Sequence, residues 1–176
     1  MGSASASTRE NIKKSALRLK EDCLNSSKNN FLYSAILSKW RYFLGITSTV
    51  AAAFIEITVS TRIGSTNIIV LICSLVALLS SSIVTIWNPG KYAEMHQRIG
   101  NEYNAILKKC QTFIDVDICD ENMSDKQLRE TLDKLSNERL NLYKSYSNVI
   151  IPESIHKKVK KKLESGEANY GFEQNI

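Results

Sequence analysis

One carboxylate, Glu56, interrupts an otherwise apolar segment of this 176-residue chain. An ionisable side chain inside a membrane span costs about 2.5–3.5 kcal/mol on insertion scales, so it faces protein or water rather than lipid. Helical spacing places Thr49, Ala52, Ala53, Glu56 and Ser60 on one face of segment 43–60. It places Ser74, Ala77, Leu78, Ser81 and Thr85 on one face of segment 68–87. A single pair of helices encloses no conduit, but several pairs around an axis could line one. Thr49, Glu56, Ser60, Ser74, Ser81 and Thr85 are therefore the pore-lining candidates. A second reading fits the same residues: Glu56 snorkels outward or bonds a neighbouring Ser or Thr, and the small side chains allow close helix packing. Both readings stand.

Other reactive types offer less. His96 and His156 are the only histidines and belong to no His-x-x-x-His or Ser-His-Asp pattern. Beside Tyr92 and Tyr103 at heptad spacing, His96 reads as a packed, hydrogen-bonded residue. Asp115, Asp117, Asp120 and Glu121 lack the glycine and ligand order of an EF-hand, and no glycine-rich phosphate loop occurs. Cys23, Cys73, Cys110 and Cys119 contain no C-x-x-C pair and read as reduced or buried thiols. No enzymatic activity, cofactor or metal is expected. In 155–163, Lys157, Lys158, Lys160, Lys161 and Lys162 surround a stripe of Ile155, Val159 and Leu163. They are candidates for binding lipid headgroups or an acidic partner, although such runs at helix ends are usually solvated faces complementing the helix dipole.

The elements that must position these residues follow from an uneven composition. Apolar residues make up 43% and charged residues 23%, but residues 63–90 hold no Asp, Glu, Lys or Arg. Seven glycines and two prolines argue for long helices. The net charge of +5, spread over both polar ends, does not indicate nucleic-acid binding. Residues 1–39 contain no signal-peptide apolar core. Segment 68–87 is long enough to cross the hydrocarbon of a bilayer, and it ends at Trp87 followed by Asn88-Pro89-Gly90, an interfacial aromatic and a helix stop. Segment 43–60 is the weaker span, anchored by Trp40, Arg41 and Tyr42. The connection 61–67 is short, so the two form a hairpin with both termini on one side. Lys28, Lys39, Arg41, Lys91 and Arg98 flank the spans on that side, against Arg62 alone in the turn. This bias places both termini in the cytoplasm of a cell whose inner membrane the chain crosses twice.

Upstream, Thr8 is expected to cap a helix bearing Ile12, Ala16, Leu19 and Cys23, stopping near Asn25-Ser26-Ser27, with a second helix leading into the first span. Downstream, Tyr92, His96, Ile99, Tyr103, Ile106, Cys110 and Phe113 form one heptad seam. Ser124 and Gln127 form a capping box before Leu128, Leu132, Leu135, Arg139, Leu142, Tyr146 and Val149. The two seams predict an antiparallel cytoplasmic hairpin. A short helix after Pro152 and a flexible tail over 165–176 follow. The fold class is thus all-α, organised as cytoplasmic helices in 1–42, a transmembrane hairpin in 43–87 and a cytoplasmic helical region in 88–164.

This layout, with Lys91-Tyr-Ala-Glu-Met-His96-Gln-Arg-Ile-Gly-Asn-Glu-Tyr103 on the helix after the second span and a late Ile151-Pro152, resembles the bacterial SLATT domain over about 8–164. The resemblance implies a pore-forming or membrane-perturbing effector of prokaryotic conflict systems. Its partners would be membrane lipids, further copies of the chain, and an operon-encoded sensor or nucleotide second messenger. No attached sensor or enzyme domain accompanies it here. The competing expectation is a non-conducting, membrane-anchored scaffold that recruits a cytoplasmic partner.

Overall fold

Asn88 sets the sharpest boundary in the chain. In the computed structural model, which describes residues 2–60 and 67–165, with side chains for 7–57 and 68–165, Asn88 has a φ of 43°. Asparagine tolerates this left-handed conformation better than most residues. Its backbone and side-chain oxygens each accept from the Lys91 N–H at 3.1 Å. Asn88 thereby ends α2 (Asn67–Trp87) and caps α3 (Pro89–Asp115), whose first residue, a proline, has no N–H to satisfy. The remaining elements are α1 (Gly2–Ser60), a one-turn 3-10 helix (Asp117–Cys119), α4 (Asp125–Ser145) and α5 (Glu153–Glu164). The described residues contain no strand, and the chain is all-helical.

Two expectations for the N-terminal region require correction. Thr8 caps nothing, because α1 already begins at Gly2, and no break occurs at Asn25-Ser26-Ser27. Serine and asparagine disfavour helix interiors because they compete locally for backbone groups. Here the side chains find other partners without breaking the helix. Ser27 Oγ donates to the Gly100 carbonyl at 3.0 Å, and Asn30 Nδ2 donates to the Ser26 carbonyl at 2.9 Å. The turn expected over 61–67, with Arg62, and the tail beyond Ser165 lie outside the described residues.

The chain divides into two compact units, one of 34–95 and one of 1–33 with 96–176. In the second, α1 buries Ile12, Ala16, Leu19, Cys23, Ser27 and Asn30, and α3 buries His96, Ile99, Tyr103, Ile106, Cys110 and Phe113. From α4, Leu128, Leu135 and Leu142 are buried and Leu132 is half-buried. Lys109 meets Glu138 at 2.7 Å and the Tyr146 hydroxyl meets Glu102 at 3.2 Å, so α3 and α4 pair in reverse order. The capping box is present as the sequence predicts: Ser124 Oγ accepts from the Gln127 N–H, and the Gln127 side chain accepts from the Ser124 N–H. Arg9 ties the connection between α3 and α4 to α1, pairing with Asp125 at 3.2 Å and donating to the carbonyls of Ile118, Asp120 and Met123. Ile155 and Val159 bury the apolar stripe of α5. Tyr92 is 46% exposed, and Ala93 takes the buried place expected for it. A 3.6-residue helix drifts against a strict 3.5 repeat, and the end of a seam is where the drift shows.

In the 34–95 unit the polarity is inverted. Leu37, Leu44 and Ala51 of α1 are buried, as is Ser80 of α2, while most of the large apolar side chains point outward. Ser34 Oγ donates to the Ala93 carbonyl at 2.8 Å, Arg41 lies over Gly90, and the hydroxyls of Ser48 and Ser81 are 3.0 Å apart. These contacts pair the two stretches in reverse order.

Candidate functional site

The exposed residues of the 34–95 unit separate by helical position. On α1, Phe43, Ile46, Val50, Phe54 and Ile57 form one exposed stripe at spacings of three and four. A different flank carries Gly45, Thr49, Ala52 and Glu56, also exposed. A Cβ built at Gly45 meets nothing within 4 Å, so this flank is open. On α2, Ile68, Ile69, Leu71, Ile72, Leu75, Leu78, Leu79, Ile83 and Ile86 are all at least 42% exposed. Within Ile68–Cys119, an 18-residue window has a mean hydropathy of 2.6 with 6% of it buried. Among the described residues this is the one helical run long and apolar enough to cross a membrane. A contiguous exposed apolar face of this kind marks a surface for another protein or a membrane.

The pore-lining candidates are held in different ways. Thr49 Oγ1 donates to the Gly45 carbonyl at 3.0 Å, Ser74 Oγ to the Val70 carbonyl at 2.7 Å and Thr85 Oγ1 to the Ser81 carbonyl at 2.9 Å. Such i−4 bonds satisfy hydroxyls within a helix and leave their outer surface free. Ser81 reaches across to Ser48, a residue the sequence did not single out. Glu56 is exposed and forms no ion pair among the described residues. The side chain of Ser60 lies outside the described part.

The interface anchors also differ from one another. Trp40, Tyr42 and Trp87 are exposed, and Trp40 stands edge-on to Phe43 with ring centroids 6.0 Å apart. These two line a groove with Ile36 and Lys39. Arg41 instead folds onto α3, and its Cδ would be 2.9 Å from a Cβ at residue 90. Gly90 therefore permits a close approach at which any larger side chain would displace Arg41.

In the other unit the polar residues are buried. His96 is 2% exposed, and its Nδ1 is 2.8 Å from Asn30 Oδ1. Because Asn30 Nδ2 is committed to the Ser26 carbonyl, its oxygen faces the ring, which assigns the imidazole proton to Nδ1. Tyr33 stands edge-on to the imidazole with centroids 4.7 Å apart. A Cβ at Gly100 would fall 2.8 Å from the Phe31 ring. The reading of His96 as a packed, hydrogen-bonded residue agrees with this geometry.

Burial holds the His96 imidazole below its ordinary value near 6.5. The unfolded chain therefore takes up this proton more readily than the folded one. The stability tied to neutral His96 is fully present above the ordinary value. It is lost as pH falls from there toward the lowered folded value, at up to about 1.4 kcal/mol per pH unit. Thermal unfolding of the detergent-solubilised chain should thus show a lower midpoint at about pH 5.5 than at about pH 7.5. His96→Leu should remove this part of the pH slope; equal slopes in the two proteins would contradict the assignment.

On α5, Lys157 pairs with Glu153 at 2.9 Å and Lys160 with Glu164 at 4.0 Å. No described carboxylate lies within ion-pair reach of Lys158, Lys161 or Lys162, which share one flank of the helix. The described residues contain no group of three His, Cys, Asp or Glu able to hold a metal ion. Cys23 and Cys110, read in the sequence as reduced or buried thiols, are each fully buried.

Compared with known proteins, the chain matches no family model, no curated protein and no solved structure.

Proposed function

We propose that the chain is a membrane-embedded, homo-oligomeric effector of the SLATT type. Its two apolar segments cross the bilayer as a helical hairpin, and both termini lie in the cytoplasm. The observation that carries this reading is the outward-facing apolar surface of α2 and of the 43–57 stretch of α1. A soluble bundle would bury such side chains, whereas lipid accepts them. The reversed contacts Ser34 to Ala93, Arg41 to Gly90 and Ser48 to Ser81 suit an antiparallel pair. Five basic residues flanking the spans, against one in the turn, support the orientation.

The polar residues supply the conducting surface. Ser48 stands on the edge of its helix that leads round to Thr49, Ala52 and Glu56. Ser81 stands on the edge that leads to Ser74 and Thr85. In antiparallel helices these two edges fall on the same side of the pair. Each hairpin then offers one greasy side to lipid and one polar side to its neighbours, and several hairpins around an axis enclose a lumen lined by Glu56. At high density the copies populate the open arrangement in part, and a cytoplasmic signal shifts the balance further by binding the open and closed arrangements with unequal affinity. In a bacterial conflict system, the resulting leak is the effector's output.

The Ser48 to Ser81 bond also favours a second reading, a closed and non-conducting scaffold, because it satisfies one candidate lining residue inside the pair. Dye-loaded liposomes carrying the chain at rising density separate the two. The effector should release dye cooperatively with density, and Glu56→Ala and Ser81→Leu should each change the release severalfold while leaving insertion intact. Retention of dye at every density, unaffected by either substitution, supports the scaffold and sinks the polar-side argument.

A further inference from the structure

Glu56 is the one ionisable Asp, Glu, Lys or Arg side chain in the apolar stretches 43–57 and 68–87. It is exposed, and among the described residues its carboxylate has no ion-pair partner. The hydroxyls on the same polar side have already used their protons. Thr49 Oγ1 donates to the Gly45 carbonyl at 3.0 Å, Ser74 Oγ to the Val70 carbonyl at 2.7 Å and Thr85 Oγ1 to the Ser81 carbonyl at 2.9 Å. A hydroxyl has one proton to donate and two lone pairs to accept with. These three oxygens therefore meet a lumen as acceptors, which suit a cation or a water and offer an anion nothing. On the flank of Gly45, Thr49, Ala52 and Glu56, the helical repeat meets a cation only at Arg41. Arg41 is fifteen residues from Glu56, about 22 Å at a rise of about 1.5 Å per residue, and it is folded against Gly90. That separation exceeds the screening length of about 10 Å at about 0.1 M salt, so Arg41 does not cancel the field at Glu56.

We infer that the leak is selective for cations, with one Glu56 carboxylate from each copy forming the ring that selects positive charge. The inference rests on the conducting reading proposed above and names what the conduit passes. A ring of carboxylates inside low-dielectric walls focuses its field on the lumen, where it concentrates cations and depletes anions. The acceptor-only hydroxyls act in the same direction. A lumen wide enough to release a dye leaves small ions most of their water. Selection therefore acts on the sign of the charge and does not separate potassium from sodium. Salt sets its strength, because the screening length shrinks from about 10 Å at about 0.1 M to about 3 Å at about 1 M. The preference is severalfold at the lower concentration and close to none at the higher.

The test fuses liposomes carrying the full chain at high density into planar bilayers and reads the reversal potential in a potassium chloride gradient, which gives the ratio of cation to anion permeability. Wild type should favour potassium over chloride severalfold in dilute salt and lose the preference in concentrated salt. Potassium and sodium should pass about equally. Glu56→Asp, which keeps the charge, should keep the preference. Glu56→Gln should lose it, and Glu56→Lys should turn it toward chloride. A wild-type ratio that favours chloride or neither ion in dilute salt overturns the inference, as does an undiminished preference in Glu56→Gln. A severalfold preference for potassium over sodium overturns selection by charge sign. Where a variant fails to insert, the wild-type salt series decides alone, and a ratio that does not fall with salt overturns the ring. Bilayers that stay silent at every density overturn the conducting reading and this inference with it, whereas current without preference overturns the inference alone.

Discussion

Leu75→Arg combined with Leu79→Arg is expected to shift the chain out of the alkali-resistant membrane fraction. Both side chains lie near the middle of α2, four residues apart on one face, at 55% and 53% exposure. If that face meets lipid, each arginine opposes insertion by about 2.5–3.5 kcal/mol, and the pair by about 5–7 kcal/mol. Such a penalty exceeds what snorkelling from the centre of a span recovers. If the same face met water, two added charges would change stability by about 0.5 kcal/mol or less each and would raise solubility. The two environments therefore predict opposite outcomes for one measurement, the partition after alkaline carbonate washing. Wild-type protein that stays in the supernatant without detergent would refute the membrane assignment outright. A double variant pelleting as firmly as wild type would refute α2 as the span.

Phe113→Ala should be the most damaging single truncation in the other unit. Phe113 is 1% exposed and is the largest of the fully buried side chains. Removing a buried phenyl ring loses its transfer free energy and leaves a cavity, together about 3–5 kcal/mol. For a unit of this size the melting midpoint should fall by on the order of 15 °C, read by circular dichroism on the detergent-solubilised chain. Phe54→Ala provides the contrast, since Phe54 is 47% exposed on the outward stripe of α1. Detergent or lipid fills the space its ring leaves, so the midpoint should move little. Comparable losses for both variants would mean that the outward stripe is covered by protein.

Much of this architecture was legible in the order of residues because it depends on neighbours only a few positions apart. The apolar run to Trp87 and the stop at Asn88-Pro89 are local signals, and α2 and α3 meet there. So are the Ser124 to Gln127 capping box and the seam from His96 to Phe113, each found where the spacing places it. The failures came where a polar residue had two possible uses. Asn25-Ser26-Ser27 read as a breaker, yet Ser27 and Asn30 are buried within one unbroken helix. Tyr92 read as a seam residue, yet helical drift turned it outward.

Periodicity and composition alone determined that the chain is helical, that one segment is apolar enough to span a bilayer, and which faces are greasy. Only the tertiary structure decided that Asn30 orients His96, that Gly100 admits Phe31 and that Ser48 meets Ser81. The physical reason is one of range. A hydrophobic stripe follows from the fixed rise and turn of a single helix. A hydrogen bond between residues dozens of positions apart depends on how two helices pack, and the residue types do not carry that information separately.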